Sequence, residues 1–263
     1  MKISLYHLYP EAMNLYGDYG NVLSIIKRCN WRGINVEVVN VRKGDDVDFS
    51  SADLIFMGGG QDRSQQVIAE DLLAKGQRIK DAIEEGTCAL TICGAYQLFG
   101  YYFKTKDGIE LPGIGIFDAY TVAGDRRLIG NVLIDCSEFM PRANGLQQSK
   151  LLVKSNLELV GFENHSGKTY LGKEVFPLGR VIRGYGNDGL GRWEGCRYLN
   201  AFGTYLHGPL LSKNPWFTDY LILQALNHRY GKGISLAELD DSIEQSAFNS
   251  AKKRIETAKT THL

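Results

Sequence analysis

Apolar positions along this chain fall into short runs that alternate with stretches of helical spacing. Residues 2–7 read as a first strand, residues 21–31 have the period of a helix that Gly33 stops, and residues 34–41 form a β-branched second strand. Residues 53–57 are a third strand, ending in Gly58-Gly59-Gly60. From Ser64 to Glu85 the residues Val67, Ile68, Leu72, Ile79 and Ile83 make one apolar stripe, and Gly86 closes that helix. Residues 88–92 are again short and apolar, and turn tightly into a helix over residues 94–102. Strands alternating with helices predict an α/β fold whose mostly parallel sheet is covered by helices on both faces. In such sheets ligands bind beyond the carboxyl ends of the strands. Two of those ends carry unusual residues here, the glycine run and Cys93.

Further on the pattern changes. Between about residues 111 and 206 it favours short strands and glycine turns, with strands expected over residues 113–117, 127–134 and 180–185 and a polar loop over residues 142–150. Residues 215–229 read as a helix, followed by Gly231 and Gly233. Beyond Ser235, residues Leu236, Leu239, Ile243, Ala247, Ala251 and Ile255 recur at helical spacing. This predicts an amphipathic tail, suited to docking on its own domain or on another chain. The expected division is a domain over residues 1–232 and a helical tail over residues 233–263.

Composition narrows the function classes. Thirty basic residues balance thirty acidic ones, so net charge gives no reason to expect nucleic acid or an anionic membrane as partner. The N-terminal segment meets His7, Pro10 and Glu11 before any signal-peptide apolar core could form, and no run of roughly 20 apolar residues follows. A cytoplasmic protein is expected. The five cysteines, at 29, 88, 93, 136 and 196, are odd in number and lie in no CxxC pair or Cys/His cluster at zinc spacing, so no metal site is predicted.

Chemistry concentrates in Leu90-Thr91-Ile92-Cys93-Gly94-Ala95-Tyr96-Gln97. A strand running into a cysteine, then small residues, then a helix is the layout of a nucleophile elbow. The helix N-terminus behind the sulfur favours thiolate over thiol. The loop Gly58-Gly59-Gly60-Gln61-Asp62 follows the neighbouring strand, and glycines let backbone N–H groups face a developing oxyanion alongside the N–H of Gly94. No Gly-Lys-Ser/Thr follows, which argues against a phosphate loop. A thiol nucleophile needs a base. His207, in Gly203-Thr204-Tyr205-Leu206-His207-Gly208-Pro209, and His165, in Gly161-Phe162-Glu163-Asn164-His165-Ser166-Gly167, both sit at loop mouths, and spacing alone does not choose between them. His7 and His228 are further candidates, while His262 lies in the terminal tail.

The ordered motifs GGGQD, ICGAYQ, GFENHSG and GTYLHGP together resemble the class I glutamine amidotransferases of the cobyric-acid-synthase type. Within that family the likeness is to the glutaminase subunits of bacterial lipid II isoglutaminyl synthases. It covers nearly the whole chain, from NLYGDYGN to TDYL. The resemblance implies a flavodoxin-like fold, with Cys93 as nucleophile and His207, not His165, as base. Gly59, Gly60 and Gly94 would form the oxyanion hole, and Arg127 and Gln97 would bind substrate. It also implies L-glutamine as ammonia donor, no cofactor in this chain, and a Mur-ligase-like, ATP-dependent partner of the MurT type. That partner would amidate the D-glutamate of lipid II to D-isoglutamine in peptidoglycan synthesis.

One departure stands out. Members of the wider class carry a glutamate two residues after the histidine, and here that position is Pro209. Either Cys93 and His207 work as a dyad, or an acid comes from elsewhere in the fold or from the partner chain, and a carboxylate from the partner is the expected replacement. The alternatives are the glutaminase half of a cobyrinate or cobyric acid amidating enzyme, a stand-alone hydrolase of the same architecture, and a non-catalytic scaffold. A pattern that begins at residue 1 favours a separate subunit over the first of these.

Overall fold

The computed structural model describes residues 1–140 and 157–258. The polar loop expected over residues 142–150 and His262 lie outside the described residues. The chain opens with β1 (Lys2–Leu8), α1 (Tyr19–Asn30), β2 (Asn35–Val41), β3 (Leu54–Met57), α2 (Asp62–Glu84), β4 (Cys88–Ile92) and α3 (Gly94–Phe99). Every residue of β3 and β4 is buried, as expected of strands with both faces covered. Short strands β5 (Tyr102–Lys104) and β6 (Glu110–Pro112) lead to two long ones, β7 (Ala119–Asp135) and β8 (Glu158–Leu171). Then come β9 (Gly179–Arg183), β10 (Trp193–Glu194), β11 (Cys196–Tyr198), β12 (Ala201–Thr204), α4 (Pro215–Tyr230) and α5 (Ser242–Thr257). Among the described residues no helix is long and apolar enough to cross a membrane.

The strands form two sheets. In the first, the order is β11-β12-β4-β3-β1-β2, parallel throughout except for β11. The order turns back beside β1 and β3, so the carboxyl ends of β1, β3, β4 and β12 converge on one crevice. The second sheet, β10-β9-β7-β5-β6 with β8 on β7, is mostly antiparallel. Pairing of β7 with β8 shifts register between Ala123 and Leu128, which frees the residues carrying Arg126 and Arg127 from the ladder. An irregularity of this kind beside a site redirects side chains.

Three expectations are corrected. Residues 113–117 are not a strand. Their N–H groups instead satisfy the end of α3, with Ile114 donating to Leu98, Ile116 to Phe99 and Gly115 to Gly100. That closes the orphan carbonyls of a short helix, and a Cβ on Gly113 would stand 2.1 Å from the Gly100 carbonyl oxygen. On α2, Val67 is 53% exposed, and the polar Gln65 is buried in the turn nearest the crevice. In the tail, the helix begins only at Ser242 and Ile243 is 80% exposed. Its apolar contacts are Phe248, Ala251 and Ile255, packed on Leu133 and Val160 of the second sheet. The tail therefore docks on its own domain.

A buried ionic cluster fastens that tail. Arg28 of α1 grips Asp219 of α4 with two bonds, Nε to Oδ1 at 2.6 Å and Nη2 to Oδ2 at 2.7 Å. Arg32 adds Nη2 to Asp219 Oδ2 at 2.6 Å, and Arg28 also reaches Asp241 just before α5. Removing the shared carboxylate strands two guanidinium groups out of water. Asp219→Ala is expected to lower unfolding free energy by about 3–5 kcal/mol in urea titration.

Candidate active site

At the carboxyl end of β4 the chain must reverse into α3 within one residue, and Cys93 makes that reversal at φ 53°, ψ −105°. This is backbone space that a residue with a Cβ rarely enters, and it is tolerated where surrounding structure enforces it. The Cys93 N–H donates to the carbonyl of Thr204 at 2.8 Å, so the elbow is pinned to β12. From that strand end, three residues carry the chain to His207. The His207 backbone exchanges hydrogen bonds with Phe162 of β8, at 2.7 and 3.2 Å. The imidazole is thus fixed by both sheets.

Cys93 and His207 meet at the glycine loop. A Cβ placed on Gly59 would lie 2.8 Å from His207 Cε1, 3.2 Å from Asp18 Oδ2 and 3.4 Å from Cys93 Cβ. Glycine is required there by crowding alone. Asp18, buried in the segment before α1, bridges the group: its Oδ1 accepts from His207 Nδ1 at 3.1 Å and its Oδ2 accepts from the Gly59 N–H at 2.7 Å. The acid expected from a partner chain is therefore supplied by residue 18 of this one. Burial works against a charged His207, but the bond to Asp18 and the proximity of the Cys93 sulfur outweigh it and push the imidazole up to about 10. Its Nε2 is buried without a hydrogen-bond partner, which leaves that atom as the ring's proton-transfer position.

The oxyanion-hole expectation divides. Gly94 is the first residue of α3, so its N–H has no intrahelical acceptor. Gly60 lines the cavity beside Cys93. Gly59 does not fit as a donor in this arrangement: its N–H is held by Asp18, and its carbonyl accepts from Leu15 at 3.1 Å.

The cavity in front of Cys93 has a volume of about 370 Å³ and is lined by Tyr16, Gly60, Gln65, Arg127, Asn164 and His165, among others. Arg127, placed by the break in β7–β8 pairing, donates from Nε to Asn164 Oδ1 at 2.9 Å. Gln97 reaches the cavity wall, but its amide is engaged from behind. Its oxygen accepts from Gln65 at 3.1 Å and its nitrogen donates to the Tyr205 hydroxyl at 3.2 Å. Those bonds continue through Thr169 to Thr121 as a buried relay that braces the floor. Gln97 is better placed to support the cavity than to hold substrate directly.

The other histidines separate clearly. His165 Nδ1 bonds the Gly167 carbonyl at 2.7 Å and its ring stacks on Tyr205 with centroids 3.6 Å apart. It lines the cavity wall with the Gly167 carbonyl on Nδ1 and the Glu163 carboxylate 3.7 Å from Nε2, so no carboxylate orients the ring through Nδ1 as Asp18 does for His207. His7 is buried against Phe56 and Tyr19, and burial drives it down to about 4, which keeps it neutral. His228 contacts Asp53 at 3.4 Å through a separate cluster. Sequence reasoning missed Asp18, Gln65, Tyr16 and Asn164. Asp18 and Tyr16 lie in the NLYGDYGN segment and Asn164 in GFENHSG, so the motifs held the residues without marking their roles.

Comparisons with known proteins identify the family. Residues 4–215 match the family model described as the CobB/CobQ-like glutamine amidotransferase domain. The chain is 38% identical over 246 residues to the lipid II isoglutaminyl synthase (glutamine-hydrolyzing) subunit GatD of Staphylococcus aureus, covering 94% of this chain and 93% of that protein. It is 36% identical to the GatD subunit of Streptococcus pneumoniae, over 93% of this chain and 88% of that one. Similarity to a probable cobyric acid synthase of Methanococcus maripaludis is 26% and spans 39% of that longer protein. In structure, the fold superposes on a PurLQS chain from Thermotoga maritima with a TM-score of 0.56 at 14% identity, covering 87% of this chain and 99% of that one.

The carboxylate at position 18 generates a pH prediction. An imidazolium that protonates a leaving group is active below its own pKa, so a His207 acting in that way would set the alkaline limb of the rate profile. Asp18→Asn removes the negative charge that favours the protonated ring and is expected to move that limb to lower pH. It should also cut kcat by about 10²–10⁴, as loss of an imidazole-orienting carboxylate does elsewhere. The kcat and kcat/KM profiles from pH 6 to 10.5 check both.

Proposed function

This chain belongs to the CobB/CobQ-like glutamine amidotransferase family, and from that premise we propose that it hydrolyses L-glutamine through a Cys93 thioester and passes the ammonia to a synthetase partner. The observation that carries the reading is the Asp18–His207 pair set beside a strained Cys93 at the mouth of a cavity that also presents Arg127. A guanidinium at that wall suits the α-carboxylate of glutamine, and a bidentate contact would aim the side-chain amide at the sulfur.

The chemistry follows from the placement. The thiolate of Cys93 adds to the amide carbon, and the negative charge that gathers on oxygen meets the Gly94 N–H and the Gly60 edge of the glycine loop. The C–N bond then breaks as His207 Nε2 delivers its proton to the nitrogen, and ammonia leaves. Water, deprotonated by the now neutral His207, adds to the thioester and releases glutamate and the thiol. Gly59 could join the oxyanion contacts only by giving up its bond to Asp18.

Two relatives that match over more than nine-tenths of this chain are named as subunits of lipid II isoglutaminyl synthase. By that likeness the ammonia is consumed in amidating the D-glutamate of lipid II to D-isoglutamine, in cell-wall peptidoglycan synthesis. The partner is a Mur-ligase-like chain of the MurT type, which would bind the ATP, and this chain needs no cofactor of its own for the hydrolysis. The cytoplasm is the compartment that suits both an activated lipid-linked precursor and five unpaired buried thiols.

Ammonia release from glutamine, measured with the partner present, tests the assignment. Cys93→Ala is expected to release none and to lose labelling by a glutamine-like chloroketone. His207→Ala should fall by about 10³-fold or more while His165→Ala stays within about tenfold of wild type. Arg127→Ala is expected to raise KM for glutamine by about 10–100-fold with kcat little changed, the cost of one charge-assisted contact. An inactive His165→Ala beside an active His207→Ala would reverse the choice of base.

A further inference from the structure

The segment that brings Asp18 to the base also carries Tyr16, and its surroundings are unusual. Tyr16 sits at φ 53°, ψ 27°, a left-handed conformation that favours glycine, at the lip of the cavity and partly open to solvent. Side chains are held there where neighbouring contacts over-determine the backbone. Three such contacts are present, one of them the edge of the Phe162 ring with centroids 6.2 Å apart. The Tyr16 ring meets the His207 imidazole edge-on, with centroids 4.9 Å apart and planes at 72°. Its hydroxyl accepts from Asn164 Nδ2 at 2.7 Å.

Asn164 faces the other way as well. Its Oδ1 accepts from Arg127 Nε at 2.9 Å, and its backbone carbonyl accepts from Arg127 Nη2 at 3.3 Å. One continuous path therefore runs Arg127–Asn164–Tyr16–His207, joining the residue proposed to hold glutamine to the residue proposed to move its proton. An exposed arginine on a broken strand pairing has many rotamers of similar energy, and ordering it is entropically costly. A planar amide fixed from both sides selects one.

We propose that Tyr16 and Asn164 are positioning residues for the glutaminase reaction: Asn164, held by the Tyr16 hydroxyl, presets the Arg127 fork for the α-carboxylate, while the Tyr16 ring holds the His207 imidazole against Asp18. The proposal rests on the glutaminase reading above. It separates two functions of one side chain, since the hydroxyl acts on substrate binding and the ring on the base. Discrimination in favour of a free α-carboxylate is then set partly by Tyr16, which need not touch the substrate.

Steady-state glutaminase kinetics on the chain with its partner test this, with thermal melts confirming that each variant folds. Tyr16→Phe keeps the ring and loses the acceptor. It should raise KM for glutamine about three- to tenfold with kcat within about twofold, the worth of one neutral hydrogen bond. Asn164→Ala should raise KM at least as much, and the double variant should show less than the product of the two single effects. Tyr16→Ala should add a fall in kcat of about tenfold or more and move the alkaline limb that reports His207 to lower pH. An unchanged KM in Tyr16→Phe, or independent effects in the double variant, overturns the relay while leaving the glutaminase reading intact. Wild-type protein that releases no ammonia, with Cys93 unlabelled, overturns both.

Discussion

A single carboxylate organises this site. Asp18 places one oxygen on the imidazole of His207 and the other on the peptide of Gly59, so that imidazole and the loop behind Cys93 are set by one buried side chain. A charge in that position is stable only because both oxygens are bonded and the imidazole can carry the compensating proton. Everything around it is shaped for access. Gly58 and Gly60 lack the Cβ atoms that would strike the Met13 carbonyl at 2.5 Å and the Met13 sulfur at 2.2 Å, and Gly20 leaves room for Pro209. The segment over residues 9–20 is thus pressed between the glycine loop and the turn after His207, and its position dictates the distance between acid and base.

The two sheets share the work unequally. The parallel sheet supplies Cys93 and the glycine loop from adjacent strand ends, where backbone geometry is stiff and the elbow strain can be held. The antiparallel sheet supplies the far wall of the cavity: Arg127 from the interrupted pairing, Asn164 and His165 from the facing strand. His207 is where they join, since its backbone pairs with Phe162 while its approach strand pairs with β4. Beneath them, Gln65, Gln97, Tyr205, Thr169 and Thr121 form a hydrogen-bonded floor with its members buried. Such a floor holds side chains to one rotamer, which a site that depends on aligned donors requires.

The tail follows the same economy of local fit. Its spacing continues a helical period from Leu236, yet residues before Ser242 run as an irregular strap because Arg28 and Arg32 draw the chain across α1 and α4 first. Only the last turns meet the sheet, through Phe248, Ala251 and Ile255.

Periodicity by itself determined the alternation of strands and helices, the elbow at Cys93 and the glycine run beside it, because these depend on neighbours within a few residues and on the backbone freedom of glycine. The motifs, taken in order, carried the family and the preference for His207. Tertiary structure alone decided where the acid comes from, that Gly59 faces Asp18 instead of the cavity, and that Gln97 braces the floor. It also decided that residues 113–117 cap α3 and that Val67 and Ile243 face solvent. Asp18 and His207 lie 189 positions apart, and no local pattern marks a buried aspartate as the partner of one histidine over another. A carboxylate acquires that role from the groups that the fold brings to its two oxygens.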